Sequence, residues 1–352
     1  MSDHPYRQFP PRSFWSRSVA RDFDGAAVVT GGPLLRPGDR VASMGSCFAS
    51  NLVPHIESAG YAYVRTEQPH PQLAQLPENL GYRDFSAAYG NLYTVRQMLQ
   101  LVRRSVGLFS PTEDRWHVAD AVVDPFRPGL AYPAVGNAEF DALVGGHLRA
   151  TRRVFGEADV IIVTLGLTEA WESTLDGAVF PACPGTIAGT FDPDRYVFHN
   201  FTVEEVTTDL FALVEALHAI NPALRFILTV SPVPLVATAS GRHVLEATVY
   251  SKSLLRVAAA HVEQVDPTVA YFPAYELVTG PQAPENFFEA DRRSVSAAAI
   301  AIVMEAFLGS CERPAGTVST PAPSAAGPLA TISARIARAE CEEELLDELP
   351  VR

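Results

Sequence analysis

A hydroxyl and a thiol stand side by side in the stretch RVASMGSCFASNLVPHIESAG, residues 40–60, where a predicted strand is followed by a predicted helix. The strand pattern ends at Gly45, so Ser46 and Cys47 fall at the helix N-terminus. There, backbone N–H groups and the helix dipole stabilise an anion. This setting suits Ser46 as a nucleophile, because attack on a carbonyl group builds negative charge on its oxygen. Serine is also among the best helix-capping residues, so capping is the alternative role.

Four more clusters of glycine and polar residues fall at or near the ends of predicted strands. Ligands bind at this edge in open parallel α/β sheets. The clusters are YGNLYT (89–94), TLGLTEAWE (164–172), SPVPLVATASGRH (231–243) and FFEADRRSVS (287–296). The glycines permit close approach of another backbone, and the polar groups can bind a ligand or move a proton. The candidate residues in these clusters are Gly90, Asn91, Gly166, Glu169, Ser231, His243 and Asp291. The alternative for TLGLTEAWE is a capped helix start.

Lys252 is the only lysine of the chain, and the other basic residues counted with it are all arginine. A solitary lysine could neutralise an anionic substrate, or act as a base if it is desolvated. A surface position is the simpler expectation, with arginine in place of lysine elsewhere reflecting codon bias.

Five short apolar segments are typical of buried parallel strands. They are separated by helical patterns, one of which begins with Thr202 and Glu205 in the spacing of a capping box. Strands that alternate with helices predict right-handed βαβ units, and therefore a three-layer α/β/α sandwich with a mainly parallel five-stranded sheet. The predicted strands are 40–46, 61–67, 159–166, 225–234 and, less regular, 269–278.

The chain divides into four parts. We expect an N-terminal extended segment at 1–39 and an α/β domain at 40–309. The interval 68–156 is too long for one crossover and predicts a helical insertion over the functional edge of the sheet. Residues 310–328 are rich in Pro, Ala and Ser and predict a linker, and 329–349 predict an acidic amphipathic helix. That helix could dock on its own domain, form a homo-oligomer or bind a protein partner.

Composition excludes several classes of function. A net charge of −13 argues against binding nucleic acid, because contacts with phosphates need a basic surface. The four cysteines are far apart with no ligand spacing, which predicts free thiols, no metal site and no cofactor. No apolar run is long enough for a membrane span, and the N-terminus lacks the apolar stretch of a secretory signal. We therefore expect a cytoplasmic protein.

Several long motifs, in order, resemble one family. GSCFA, at residues 45–49, is the stretch that names the GSCFA family, and the other motifs are YGNLYT, TLGLTEAW, FHNFTVEEV, LTVSPVPLVAT, SKSLLR and YFPAYELV. The resemblance covers about residues 14–308. This family is usually placed beside the SGNH, or GDSL-like, serine esterases and acyltransferases. The resemblance therefore implies an SGNH-hydrolase-like sheet in flavodoxin-like strand order.

The wider resemblance implies roles for individual residues. Ser46 matches the nucleophile, in Gly-Ser-Cys rather than Gly-Asp-Ser, and Gly90 matches an oxyanion donor with Asn91 beside it. The third block of SGNH enzymes ends in an asparagine, whereas this chain offers Gly166 and Glu169. A carboxylate there would repel an oxyanion unless it is protonated or serves another purpose.

The last block of SGNH enzymes is Asp-x-x-His, and this chain departs from it. Asp291 matches the aspartate, but Ser294 stands in the place of the histidine base. Without a base, Ser46 is a poor nucleophile. His243 or His199 could supply the base from another cluster, or Cys47 could attack instead, because a helix N-terminus lowers the pKa of a thiol.

The sequence therefore predicts an SGNH-like hydrolase or acyltransferase for an O-acyl glycan or small-metabolite ester. In this reading Ser46, Asp291, His243 and Glu169 are catalytic, and the residues that bind substrate or oxyanion are Cys47, Gly90, Asn91, Gly166, Ser231 and Lys252. The alternative is a catalytically degenerate protein that binds a ligand or serves as a scaffold.

Overall fold

The central sheet has five parallel strands. A computed structural model describes residues 4–21, 23–68, 85–130 and 133–314 of the chain. The strands within these ranges are β1 (Arg40–Gly45), β2 (Ala62–Tyr63), β3 (Trp116–Val118), β4 (Ala121–Val123), β5 (Val160–Leu165), β6 (Glu169–Ser173), β7 (Val179–Phe180), β8 (Tyr196–Asn200), β9 (Arg225–Val230) and β10 (Val269–Tyr271). The central sheet runs in the order β2-β1-β5-β9-β10. All its neighbouring strands pair in parallel, which confirms the predicted flavodoxin-like order.

Helices cover both faces of this sheet. They are α1 (Trp15–Ser18), α2 (Cys47–Ser58), α3 (Val95–Ser105), α4 (Asn137–Glu157), α5 (Val203–His218), α6 (Val244–Val265), α7 (Ala274–Thr279) and α8 (Ala297–Gly309). Successive side chains of β5 point to opposite faces, as the pleat of a strand requires. Ile161 and Val163 pack in the core with α3 to α6, whereas Val160 and Ile162 pack with α2, α7 and α8. The predicted three-layer sandwich is therefore confirmed.

The helix signals in the sequence correspond to real helix starts. Thr202 caps α5: its hydroxyl accepts the Glu205 N–H at 3.3 Å, and the Glu205 carboxylate accepts the Thr202 N–H at 2.8 Å. On α2, Phe48, Leu52 and Ile56 lie on one face of the helix, and all three are buried. Capping fixes where each helix begins, and the apolar face fixes which side meets the sheet.

The two outer strands are shorter than predicted. The segment 61–67 contributes only β2, an edge strand, after which the side chain of Glu67 turns into a buried polar cluster. The segment 269–278 forms β10 and then α7, with Pro273 between them. Proline lacks the N–H that a strand ladder needs, so the strand ends before it.

A second sheet, of three antiparallel strands in the order β7-β6-β8, follows β5 and was not predicted. TLGLTEAWE therefore enters β6, and the alternative of a capped helix start is wrong. Trp171 explains the strand: it lies opposite Phe180 on β7 and Phe198 on β8. Such cross-strand aromatic pairs favour strands over helices.

The expected insertion contains α3, the β3–β4 hairpin and α4, in addition to a loop at 85–94. The N-terminal segment, which we expected to be extended, forms the short helix α1 and three 3-10 turns at Pro5–Gln8, Pro11–Ser13 and Gly25–Val28. The predicted helix at 329–349 and most of the predicted linker lie outside the described residues.

Burial of Phe48 predicts a large cost for truncating it. Its side chain is 1% exposed beneath α2, so Phe48→Ala leaves a cavity and is expected to lower the free energy of unfolding by about 3–5 kcal/mol. Phe9→Ala is the control, since Phe9 is 46% exposed, and its effect is expected to stay within about 0.5 kcal/mol. Urea denaturation followed by circular dichroism measures both. Equal losses in the two variants would contradict this packing of α2.

Candidate active site

Ser46 lies between the end of β1 and the start of α2. Its backbone is extended, as in a capping residue, but its side chain makes no capping bond. Only 3% of Ser46 is exposed, and within the described residues its Oγ has no hydrogen-bond partner. A buried polar group without a partner costs about 1–3 kcal/mol, so capping does not account for this hydroxyl. The rival thiol of Cys47 lies outside what the structure describes.

Two glycines let three chain segments meet around Ser46. Gly45 has a φ of +141°, and a Cβ at this residue would lie 2.3 Å from the Thr164 carbonyl oxygen at the end of β5. A Cβ at Gly166 would lie 2.9 Å from the Tyr93 carbonyl oxygen and 3.3 Å from the Ser46 Cβ. Any larger residue at these two positions would push the segments apart. Gly166, where we predicted a close approach of backbones, therefore lies against Ser46, the candidate nucleophile.

The Gly90–Asn91 loop lies beside the end of β1. Gly90 has a φ of +67°, which favours glycine. The Leu92 N–H donates to the Gly45 carbonyl oxygen at 2.8 Å, which joins this loop to the residue before Ser46. The Asn91 Oδ1 is buried and has no hydrogen-bond partner among the described residues. The structure thus brings the predicted oxyanion donors to the nucleophile end of β1.

A buried polar cluster holds the same loop from below. The Glu67 carboxylate accepts the Ala88 N–H at 2.8 Å and contacts His147 Nδ1 at 2.7 Å, and Arg127 donates to the Ala88 carbonyl oxygen at 3.2 Å. Burial opposes the charge on Glu67, but the contacts with His147, the charge of Arg127 and the Ala88 N–H together lower the pKa of this carboxyl. Burial also lowers the pKa of His147. Sequence reasoning missed this cluster because its members are far apart in the chain.

Both backbone polar groups of Gly166 already have hydrogen-bond partners. The N–H groups of Gly166 and Leu167 both donate to the Tyr93 carbonyl oxygen, at 3.1 and 3.0 Å, so neither is open to an oxyanion. The Gly166 carbonyl oxygen accepts a hydrogen bond from Lys252 Nζ at 2.5 Å. Close approach at Gly166 agrees with the sequence analysis, whereas donation from its N–H does not.

Lys252 is fully buried, so the expectation of a surface position is wrong. It lies on α6 next to Ser251, whose hydroxyl accepts the Thr168 N–H at 3.0 Å. Two successive residues of α6 thus hold the loop that follows β5. The sequence carried a signal for this burial, because Lys252 shares a helix face with Leu255 and Ala259, three and seven residues further on.

Glu169 lies at the start of β6 and is 9% exposed. Burial raises the pKa of its carboxyl, although a hydrogen bond from the Thr238 hydroxyl at 2.7 Å favours the charged form. The side chain lines a cavity of about 250 Å³, and the other walls include Tyr93, Leu167, Trp171, Phe180 and Leu235. Ser46 is not part of these walls. Two residues of the cavity wall adjoin Gly166, which lies next to Ser46: Leu167 follows it in the chain, and Tyr93 accepts its N–H.

The two candidate histidine bases are engaged elsewhere. His243 is an exposed cap of α6, and its Nδ1 accepts the Leu245 N–H at 3.1 Å. His199 contacts Glu172 through Nδ1 at 3.2 Å and Glu205 through Nε2 at 3.0 Å. Neither ring offers Ser46 a nitrogen in this arrangement.

Asp291 and Ser231 stabilise their own loops. Asp291 accepts the N–H groups of Arg293 and Ser294 at 2.9 Å, and the Ser294 hydroxyl at 2.5 Å. Burial opposes ionisation, but these hydrogen bonds lower the pKa of Asp291. Ser231 follows β9; its N–H donates to the Leu165 carbonyl oxygen and its hydroxyl accepts the Val233 N–H at 3.3 Å. Asp291 thus orients the serine that stands in the place of a histidine.

Other kinds of site find little support in the described residues. None of their helices is long and apolar enough to cross a membrane. They also contain no group of three or more His, Cys, Asp or Glu residues arranged to hold a metal ion.

Comparison with known proteins adds one assignment. The sequence profile of the GSCFA family matches residues 40–307. No curated protein matches the chain.

Solved structures give distant matches. One is a Streptococcus pneumonia protein provisionally assigned as a platelet activating factor, with 14% identity and a TM-score of 0.28 over 47% of this chain. The match spans 63% of that protein, less than two thirds of its length. Another is a Clostridium thermocellum family 3 carbohydrate esterase, with 9% identity and a TM-score of 0.32 over 77% of this chain and 93% of that one. Similar folds host many functions, so we take no activity from either match.

The raised pKa of Glu169 predicts how stability changes with pH. The folded state binds this proton more tightly than the unfolded chain does. Its contribution to stability is therefore present below the ordinary value of 4.5 and is lost as pH rises through the higher folded value. Glu169→Gln stays neutral, so the variant is expected to gain stability relative to the wild type as pH increases from about 4 to about 8.

Urea denaturation at a series of pH values measures this gain. Glu289→Gln, which removes an exposed carboxyl, controls for the loss of one negative charge. A constant difference between Glu169→Gln and the wild type across the series would contradict the placement of Glu169 in the cavity.

Proposed function

The chain belongs to the GSCFA family, and on that premise we propose that it is an esterase-like hydrolase or acyltransferase with Ser46 as the nucleophile. One observation carries the proposal. The Ser46 hydroxyl is buried at the N-terminus of α2, at the carboxyl edge of a parallel sheet, and makes neither a capping bond nor another hydrogen bond to the described residues. A hydroxyl that has no structural task, at the edge where such sheets bind ligands, is well placed to react.

Stabilisation of the oxyanion would come from two sides of Ser46. The first N–H groups of a helix lack partners within the helix, so the start of α2 offers backbone donors and the positive end of its dipole. The Ser46 N–H itself bonds weakly to the Thr164 carbonyl oxygen at 3.4 Å, which leaves the Cys47 N–H as the backbone donor in this proposal. On the other side, Asn91 and the Gly90 N–H would donate from the loop joined to Gly45.

The cavity beside the site would bind one part of the ester. Leu167, Trp171 and Leu235 offer apolar surface, and Glu169 accepts hydrogen bonds. This combination suits a substrate with an apolar group or sugar face next to a hydroxyl, as in an O-acyl glycan or an ester of a small metabolite. Glu169 would act here in binding, away from the developing oxyanion.

In the proposed reaction, the Ser46 oxygen attacks the ester carbonyl carbon and forms a tetrahedral intermediate. The intermediate collapses to an acyl-serine and releases the alcohol. Water then releases the acid in a hydrolase, or an acceptor alcohol takes the acyl group in a transferase. Loss of the nucleophile from such a mechanism lowers kcat by about 10⁴-fold or more.

The direct test is the intact mass after treatment with a fluorophosphonate probe, which labels activated serines. We expect one adduct on the wild type and none on Ser46→Ala. Ser50→Ala, one turn further along α2 and also buried, is the matched control and is expected to label like the wild type. A folded wild type without an adduct, or an adduct that survives Ser46→Ala, would contradict the proposal.

Asn91 predicts a second effect, on the transition state. If a probe ester such as p-nitrophenyl acetate is hydrolysed, Asn91→Ala is expected to lower kcat by about 10²–10³-fold with little change in KM, as for an oxyanion donor. Asn137→Ala, which alters the first residue of α4, controls for loss of an asparagine. A change in KM alone would assign Asn91 to binding of the ground state.

A further inference from the structure

Lys252 is both the only lysine of the chain and a fully buried one. Transfer of a charged ammonium group from water to a protein interior is costly, and desolvation disfavours the charged form. Arginine remains protonated at every accessible pH, so among the long basic side chains only lysine can exchange a proton. Lys252 therefore differs from every other long basic side chain of the chain in being able to exchange a proton.

The position of Lys252 relates it directly to Ser46. Its amine donates to the Gly166 carbonyl oxygen at 2.5 Å. On its other side, Gly166 contacts Ser46 so closely that an added Cβ would lie 3.3 Å from the Ser46 Cβ. One glycine thus separates the amine from the serine.

Among the residues that the structure describes, neither candidate histidine offers Ser46 a base. His243 uses Nδ1 to cap α6, His199 lies between two carboxylates, and Ser294 occupies the position of the Asp-x-x-His histidine. The predicted triad therefore lacks a general base, and a neutral lysine can perform this role.

We infer that Lys252 is the general base that accepts the hydroxyl proton of Ser46. This inference rests on the proposed function. The two side chains do not form a hydrogen bond in this structure, so transfer requires one of them to rotate toward the other. Catalytic hydrogen bonds are often long in the absence of substrate and tighten only when substrate is bound.

The proton balance is complete without a further group. As the Ser46 oxygen bonds to the carbonyl carbon, its proton moves to the lone pair of neutral Nζ. When the intermediate collapses, the bond to the alcohol oxygen breaks and the ammonium returns the proton to that alkoxide. Water, or an acceptor alcohol, then attacks the acyl-serine and gives its proton to Nζ, which passes it to the departing Ser46 oxygen. Each turnover leaves Lys252 neutral again.

The first experiment compares rates of fluorophosphonate labelling at Ser46. Lys252→Arg can still donate to Gly166 but cannot act as a base, so its labelling rate is expected to fall by about 10²-fold or more, as is that of Lys252→Met. Ser253→Ala changes an exposed residue of α6 next to Lys252; it is the matched control and is expected to label like the wild type. Thermal denaturation confirms that each variant is folded. Labelling of Lys252→Arg at the wild-type rate would overturn the inference while leaving the nucleophile in place.

The second experiment needs no substitution. Growth on lysine labelled with ¹³C at Cε gives a single resonance, because the chain has one lysine. Its chemical shift reports the protonation of Nζ as pH is varied. We expect the labelling rate of Ser46 to rise with the same midpoint as the loss of the Nζ proton. An amine that stays charged throughout the rise would overturn the inference, and a wild type that is never labelled at Ser46 would overturn the proposed function with it.

Discussion

The close contact of three backbones around Ser46 is the constraint on which the rest of the site depends. The end of β1, the end of β5 and the loop before α3 approach so closely that Gly45 and Gly166 leave no room for a Cβ. Hydrogen bonds then join the segments, from Ser46 and Leu92 to carbonyl oxygens of the neighbouring segments. This convergence buries the serine hydroxyl without giving it a hydrogen-bond partner in the part of the chain that the structure describes. Packing of the sheet and its helices offsets the free-energy cost of burying this hydroxyl.

Two buried polar arrangements keep the converging loops in place. On one side, Glu67 and Arg127 hold the N–H and the carbonyl group of Ala88, just before Gly90. On the other, Ser251 and Lys252 hold the loop after β5. Polar groups fixed by several hydrogen bonds specify one arrangement of a loop better than apolar contacts do. The site is therefore built from rigid supports on opposite sides of Ser46.

The parallel sheet and its helices could be predicted because the periodicity of apolar residues and the spacing of helix-capping residues are local signals in the sequence. The three-stranded sheet of β6 to β8 escaped prediction, since its pairing of Trp171 with Phe180 and Phe198 depends on residues far apart in the chain. Ser46, the Gly90 loop and Glu169 were chosen as candidates from their places at or near strand ends, and the structure places Ser46 and this loop at the end of β1. The burial of Lys252 and the Glu67–His147 pair were both missed, because burial of a charged side chain is decided by the residues that the fold packs over it. His243 caps α6 in the structure, and the sequence alone does not separate a helix cap from a catalytic base at this kind of position.

The most direct test of the account is a crystal structure of the protein after reaction with a fluorophosphonate. We expect phosphorus bonded to Ser46 Oγ, with the phosphoryl oxygen within hydrogen-bond distance of the Asn91 side chain and of the Cys47 N–H. We also expect Lys252 Nζ to lie closer to the Ser46 oxygen than any histidine nitrogen does. Phosphorus on another side chain, or a phosphoryl oxygen turned toward solvent, would contradict it.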